Sequence, residues 1–233
     1  MTRSAYDPIA GLYDEWSRSV TEDVAFYVEE AVAAGGPIVE LGVGTGRIAV
    51  PIAQAGVEVI GVDSSAGMLE VARARAKAAG VELDLREGDL RSPPVEGEVG
   101  LVIVPFRALL HMETDATRLE ALGAILRLLR PGGRLVFDVF TPSSDDIEAT
   151  NGRWLEREPG IFERADWNER DRILVLDVRG PSCETTMRLA WLPAERWHSL
   201  LEEAGFRVVA SYGWFDRRPF TSGEDTVWVA ERP

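Results

Sequence analysis

The sequence is poor in cysteine, in histidine and in positive charge. Its one cysteine, Cys183, leaves no intrachain disulfide, which fits a reducing, cytoplasmic setting. Lysine and arginine number 25 against 39 aspartate and glutamate, a net charge of −14. Such a surface repels nucleic-acid phosphates and anionic lipid at long range, so neither nucleic acid nor membrane is the expected partner. A small neutral or cationic substrate fits better, although acidity serves solubility equally well. No apolar stretch is long enough to span a bilayer, and the opening Met-Thr-Arg-Ser-Ala-Tyr-Asp holds no signal-peptide core. No internal repeat or low-complexity segment stands out. The 233 residues suit one α/β domain with an insertion better than two full domains.

What the chain does have is a glycine-rich loop between two acids. Residues 38–46 read Ile-Val-Glu-Leu-Gly-Val-Gly-Thr-Gly. An apolar run ends in Glu40, and glycines at 42, 44 and 46 then allow a tight turn and close approach of a ligand to the backbone. The run 57–62 ends in Asp63, where a carboxylate at the tip of a second strand is placed to hold a ribose diol. A nucleoside-containing cofactor follows from this pattern. The pyrophosphate fingerprint G-x-G-x-x-G is not met, because the third glycine comes one residue early. Glu40 would also repel a diphosphate, but it suits an ammonium or a sulfonium. S-adenosylmethionine carries both cations and no phosphate.

Strand and helix signals alternate along the chain. Residues 5–17 carry Tyr6, Tyr13 and Trp16 and suggest a short helix over a pocket. A helix is expected at 21–34 with Thr21 as N-cap, and Gly35-Gly36 stops it. Strands are expected at 37–41, 57–62, 81–86, 99–104 and 134–139, with helices at 47–55, from Ser64 or Ser65 to Gly80, and at 115–130. Residues 150–192 change character, with strand-like runs at 154–157, 161–168, 173–178 and 185–191 and few helix signals. A helix at 193–204 and strands at 206–214 and 226–230 close the chain. The alternation predicts a parallel, doubly wound sheet. The expected division is a cofactor-binding domain of residues 1–145 and 193–233 and an antiparallel insertion of 146–192.

Glu40-Leu41-Gly42-Val43-Gly44-Thr45-Gly46 resembles the first motif of class I S-adenosylmethionine-dependent methyltransferases. Leu129-Arg130-Pro131-Gly132-Gly133 and Ala204-Gly205-Phe206 are similar to that family's turns into strands five and six. The resemblance implies a doubly wound, seven-stranded Rossmann-like methyltransferase sheet in the order 3-2-1-4-5-7-6, with strand seven antiparallel and a small antiparallel β insertion after strand five. It implies S-adenosylmethionine as cofactor, S-adenosylhomocysteine as product, and no metal. Carried onto this chain, it makes Asp63 the ribose acid and Asp89-Leu90, in Glu87-Gly88-Asp89-Leu90, the adenine-reading pair. Glu40 then meets the methionine amino end, and Gly42, Val43 and Gly44 form the backbone cradle. Ser64 and Met68 follow the ribose acid, and Met68 either packs on adenine or belongs to the core. Arg47 is a candidate for the methionine carboxylate, or else a capping or solvated residue.

Pro105-Phe106-Arg107-Ala108-Leu109-Leu110-His111 follows strand four and should border the transferable methyl. It lacks the Asn/Asp-Pro-Pro-Tyr/Phe of nucleic-acid and protein amino methyltransferases, which argues against adenine-N6 and glutamine methylation. The loop is similar to that of small-molecule N-methyltransferases of the amino-sugar type, which also carry a Tyr-Asp segment like Tyr13-Asp14. The expected reaction is methyl transfer to a small-molecule nitrogen or oxygen. An amine acceptor must be neutral, and an unperturbed histidine titrates near ~6.5, a useful value for a base. His111 is the candidate base, or alternatively a satisfied core histidine, and Tyr13 the residue that orients substrate or closes over cofactor. His198 reads as structural. Trp154, Trp167, Trp191 and Trp214 could wall a cationic acceptor or fill the insertion's own core and a homodimer contact. Arg217-Arg218 is either a substrate-anion site or an exposed pair. The alternatives are an NAD(P)-linked oxidoreductase on a related fold and a non-catalytic S-adenosylmethionine-binding protein.

Overall fold

A computed structural model describes residues 4–18 and 21–233. Met1–Arg3, the start of the stretch read for a leader, lie outside the described residues. The chain opens with a 3₁₀ turn, Asp7–Ile9, followed by the short helix α1 (Tyr13–Trp16) and by α2 (Glu22–Ala34). Then come β1 (Ile38–Leu41), α3 (Ala49–Gln54), β2 (Val59–Asp63), α4 (Ala66–Ala79), β3 (Asp84–Glu87) and β4 (Val99–Val104). A second 3₁₀ turn, Ala108–His111, leads to α5 (Asp115–Leu128) and β5 (Leu129–Phe140). After α6 (Ser144–Thr150), four strands follow in succession: β6 (Trp154–Glu158), β7 (Ile161–Asn168), β8 (Ile173–Arg179) and β9 (Glu184–Ala190). The chain ends with α7 (Ala194–Glu203), β10 (Arg207–Tyr212) and β11 (Asp225–Glu231).

The large sheet has seven strands in the order β10-β11-β5-β4-β1-β2-β3, and β6-β7-β8-β9 make a separate four-stranded sheet. With the insertion's strands left out, this is the 3-2-1-4-5-7-6 order that the sequence resemblance implies. β1, β2, β3, β4 and β5 pair in parallel, and β11 is antiparallel to both β5 and β10. Burial on both faces explains the nearly uninterrupted apolar runs. Leu101 and Ile103 of β4 join the layer under α2 and α3, while Val102 and Val104 join Leu122, Ile125, Trp197 and Leu200 of α5 and α7.

Two local expectations change and one open choice is resolved. Thr21 does not cap α2 with its side chain; its ψ of −19° holds it out of the extended cap conformation, and its N–H donates to Glu22 Oε2 at 3.2 Å instead. Ser65, not Ser64, caps α4, accepting from the Met68 N–H at 3.1 Å. The Pro131-Gly132-Gly133 turn ends α5 but does not delay β5, because the strand bulges there, its register moving from Val99↔Leu129 to Leu101↔Arg134. Just ahead of the strand-rich region 150–192 stands a helix that was not expected, α6. Ser143 Oγ accepts from the Asp146 N–H at 3.1 Å, and two acids sit in the first turn of α6, an N-cap signature that the sequence carries.

Candidate functional site

The carboxyl ends of β1, β2, β3 and β4 meet where the strand order reverses, the place where open α/β sheets bind ligands. A cavity of about 420 Å³ lies there. Gly42 and Gly44 form its floor, Asp63, Ser64 and Met68 one wall, and Asp89 and Leu90 the far end. Pro105, Phe106 and His111 come from the segment after β4, and Tyr6 and Tyr13 from the N-terminal segment. Of the site residues expected from sequence, Glu40, Val43 and the candidate Arg47 are not in its lining. Glu40 and Val43 are buried, 2% and 3% exposed.

The loop after β1 is shaped by backbone bonds. The N–H groups of Gly42 and Val43 both donate to the Val62 carbonyl, at 2.8 and 3.0 Å. Gly42 has φ +75°, and a Cβ there would stand 3.0 Å from the Cβ of Ala108, so glycine is what lets this loop meet the turn after β4. Asp63 Oδ2 accepts from the Gly44 N–H and Oδ1 from the Ser65 N–H, both at 2.8 Å. These bonds fix the carboxylate and leave further lone pairs facing the cavity. Asp89 is held differently, by Arg91, at 2.9 and 2.6 Å.

Glu40 is the site's unresolved charge. Its Oε2 is buried with no hydrogen-bond partner among the described residues. Burial pushes its carboxyl well above the usual range, and the nearby Asp23 and Asp63 push it further, against Arg47. Burial likewise raises Asp63, opposed by its backbone donors. An orphaned buried acid beside a second acid is what a cationic ligand would relieve. Glu40, the glycine floor and Asp63 therefore fit S-adenosylmethionine, with its ammonium and sulfonium, better than any diphosphate. Arg47 is not a loose solvated residue, since it forks onto Asp23 at 2.7 and 2.6 Å and lies 5.1 Å from the Phe106 ring.

The N-terminal segment lies over the cavity and is tied on both sides. Asp7 Oδ1 accepts from Ser65 Oγ at 2.6 Å and from the Gly67 N–H at 3.2 Å, at the start of α4. Asp14 accepts from Thr45 Oγ1 at 2.7 Å and pairs with Arg75. Thr185 Oγ1 donates to the Ala5 carbonyl at 2.5 Å. Tyr6 and Tyr13 meet edge to face, 5.8 Å apart. Burial raises the pKa of both phenols, so both stay neutral near pH 7.

His111 is held at both ring nitrogens. Nδ1 lies 3.1 Å from the Arg188 carbonyl of β9, which can only accept, so Nδ1 carries the proton in the neutral ring. Nε2 is then the acceptor, facing the Tyr6 hydroxyl at 2.8 Å. Burial lowers the histidine's pKa, partly offset by the Arg188 carbonyl and by Glu113. Tyr6 was missing from the expected set, although Tyr6-Asp7 repeats the Tyr-Asp pattern read at Tyr13-Asp14.

The backbone beside the cavity is unusual as well. Phe106 and Arg107 are consecutive non-glycine residues with φ +54° and +64°, conformations that cost of order ~1–3 kcal/mol each. Asp138 of β5 pins them, accepting from the Phe106 N–H at 2.8 Å, the Arg107 N–H at 3.1 Å and the Tyr27 hydroxyl at 2.7 Å. Burial outweighs these donors and lifts Asp138 to a pKa of about 6. The one signal of this in the sequence is an acid inside the apolar run Leu-Val-Phe-Asp-Val-Phe.

A second cavity, about 460 Å³, opens on the far side of this junction, against the four-stranded sheet. It shares Tyr6, Phe106, His111 and Met187 with the first. Trp167 lines it, packed against Trp191 and Phe140 at 5.3 and 6.1 Å. The other aromatic candidates lie elsewhere. Trp154 is 40% exposed and stacks under Arg179, and Trp214 packs on Phe215. Arg217 is engaged by Glu29 and Glu30 and Arg218 by Asp216, so that pair is a salt-bridged surface. His198 pairs with Glu202 at 3.4 Å on the face of α7.

Comparison with known proteins agrees with this geometry. Residues 38–133 match the family described as a methyltransferase domain. An uncharacterised methyltransferase of Geobacillus kaustophilus (strain HTA426) is 32% identical over 183 residues, 72% of this chain and 82% of that protein. A Bacillus subtilis (strain 168) protein described as a methyltransferase is 29% identical over 58% of this chain, which spans only 55% of that relative's length. Among solved structures, the CcbJ methyltransferase from Streptomyces caelestis superposes with a TM-score of 0.86 at 26% identity, over 99% of this chain and 98% of that one. S-adenosylmethionine-bound CalS10, an amino pentose methyltransferase from Micromonospora echinaspora, shares the fold at TM-score 0.67 and 20% identity, over 93% of each chain.

Proposed function

This chain belongs to the S-adenosylmethionine-dependent methyltransferases, and from that premise we propose that it methylates a nitrogen of a small-molecule acceptor held where the two cavities meet. Family membership sets aside the NAD(P)-linked alternative. Glu40, the Gly42–Gly44 floor, Asp63 and Asp89-Leu90 are the residues that would hold the cofactor. Bound there, S-adenosylmethionine supplies a methyl group on a sulfonium, already activated as a thioether leaving group.

The observation that carries the nitrogen reading is the Tyr6–His111 pair. Neutral His111 offers Nε2 to the Tyr6 hydroxyl, and that orientation leaves the Tyr6 oxygen's lone pairs free to accept an acceptor N–H. As the N–CH₃ bond forms and the S–CH₃ bond breaks, the nitrogen's proton passes to the Tyr6 oxygen and the phenolic proton to Nε2. The net change is one methyl moved and one proton taken up by His111. Tyr6 itself, with its raised pKa, never needs to become a phenolate. Positioning carries the rest of the rate, and for well-oriented reactants it supplies on the order of 7–11 kcal/mol. Pro105, Phe106 and Tyr13 exclude water around the transfer point. β7, β8 and β9 wall the second cavity, which supports reading the insertion as a cover for the acceptor.

Likeness to an amino pentose methyltransferase in fold supports an amine over a phenol. The experiment is a panel of primary and secondary amines beside matched phenols and alcohols, with S-adenosylhomocysteine release as readout. Turnover confined to amines and lost in Tyr6→Phe supports the reading, and turnover confined to phenols refutes it.

A further inference from the structure

Resting on that reading, we infer that the second cavity selects a diamine: an acceptor whose neutral nitrogen sits at Tyr6 while a second, protonated nitrogen is held at the cavity's acidic rim by Asp146 and Glu224. Five acids line this cavity, Asp146, Glu158, Glu163, Glu224 and Asp225, against the two cations Arg107 and Arg157. Most of that charge is already matched. Glu163 accepts from Trp16 Nε1 at 2.9 Å and pairs with Arg157, Asp225 pairs with Arg107 at 2.9 Å, and Glu158 lies 3.8 Å from Arg18.

Asp146 and Glu224 are different. Neither carboxylate has a side-chain partner among the described residues. They come from separate elements, the first turn of α6 and the loop before β11, and face one cavity. Two like charges brought together cost energy; Arg107 and Arg157 offset part of that cost at Asp146 without pairing with it, and a ligand cation between the two carboxylates would offset the rest. The Asp146 carboxyl is raised by burial and next by Glu224, against Arg107 and Arg157, so the two acids lie within electrostatic reach of each other.

A second observation points independently to a ligand. Ser17, 6% exposed, lines the same cavity, and its buried Oγ has no hydrogen-bond partner among the described residues. A hydroxyl left unsatisfied in a wall normally finds its partner in what fills the space. The apolar side, Trp167 with Phe140, suits the carbon face of a ring. A saturated ring bearing two amines and hydroxyls would therefore use the aromatic wall, Ser17 and the acidic rim together. A phosphorylated or carboxylated acceptor would meet repulsion at that rim.

The test uses the full-length protein saturated with S-adenosylhomocysteine and titrated calorimetrically with three probes: 2-deoxystreptamine, cyclohexylamine and myo-inositol. The diamine is expected to bind about tenfold or more tightly than the monoamine, with an affinity that weakens as salt is added. In the Asp146→Asn/Glu224→Gln double variant that advantage should fall to within about twofold, while S-adenosylhomocysteine affinity stays at the wild-type value. Asp145→Asn, on the neighbour that does not line the cavity, should leave the advantage intact. A diamine no tighter than cyclohexylamine, one undetectable at millimolar concentration, or one bound equally by the double variant overturns the inference and leaves the methyltransferase reading standing. Failure of the wild type to bind S-adenosylhomocysteine would instead refute the functional reading beneath it.

Discussion

Replacing Asp138 with asparagine separates loop positioning from stability. In the wild type one carboxylate accepts three bonds, and two of them hold the left-handed Phe106–Arg107 pair. Asparagine keeps one acceptor oxygen and turns an NH₂ toward the Arg107 N–H, so one charge-assisted bond, worth about 1.5–3 kcal/mol, is lost. Against this, the variant no longer buries a charge. The folded pKa of about 6 against the ordinary 3.8 corresponds to a penalty of about 3 kcal/mol at neutral pH. The two terms nearly cancel, so stability near pH ~8 should change by less than about 1.5 kcal/mol. The turn beside the cavity nevertheless loses its pin, and kcat/KM should fall at least about tenfold.

The pH dependence gives the sharper check. A folded pKa above the unfolded one means a contribution that is complete below the unfolded pKa and is lost as pH rises through the folded one. Between pH ~5 and ~8 the wild type should therefore lose about 1.4 kcal/mol relative to Asp138→Asn. Urea unfolding of both proteins at the two pH values, with steady-state kinetics near pH ~8, measures everything required. A stability difference that does not change with pH refutes the buried-charge argument. An unaltered kcat/KM refutes the pinning argument.

Other substitutions probe the rest of the site. Asp63→Ala should weaken S-adenosylmethionine binding by at least about tenfold, since hydrogen bonds to a charged acceptor contribute about 1.5–3 kcal/mol each; calorimetry showing wild-type affinity would remove Asp63 from the cofactor site. Glu40→Gln should move two quantities in opposite directions, raising the ligand-free thermal midpoint near neutral pH and lowering cofactor affinity. Its raised folded pKa means that the wild type loses stability as pH climbs, and the glutamine form should not share that loss. Both quantities falling together would contradict the reading of Glu40 as an unpaired charge. Tyr6→Phe and His111→Ala should each lower kcat by roughly 10²–10⁴, the usual worth of a positioned proton acceptor, with cofactor affinity preserved. Equal loss of affinity in either would show a structural role instead.

The sheet was legible because its signals are local. Apolar runs closed by Gly42, Gly56 and Gly80 mark strand and helix ends directly, and the acid-glycine-acid spacing places the cofactor loop. The errors arise where local signals are weak or long-range pairing decides. Pro131-Gly132-Gly133 stops a helix, but whether the next strand starts before or after it depends on pairing with β4 and with the end of β11. The helix α6 was passed over because its seven residues carry little amphipathic signal beyond the Ser143 cap. At the site, motif residues were found and long-range partners were not. Tyr6 meets His111 across 105 residues and Tyr27 meets Asp138 across 111, separations that no periodicity encodes. Arg47 looked like a solvated or ligand-binding cation because its partner Asp23 stands a full helix away and only the fold buries it.

The most direct measurement is a crystal structure of the protein soaked with S-adenosylhomocysteine. The account predicts adenosine lying between Asp63 and Asp89, the amino group within hydrogen-bond reach of Glu40, and the sulfur turned toward Tyr6 and His111. A nucleoside bound away from both Asp63 and Glu40, or a sulfur facing away from the second cavity, would contradict it.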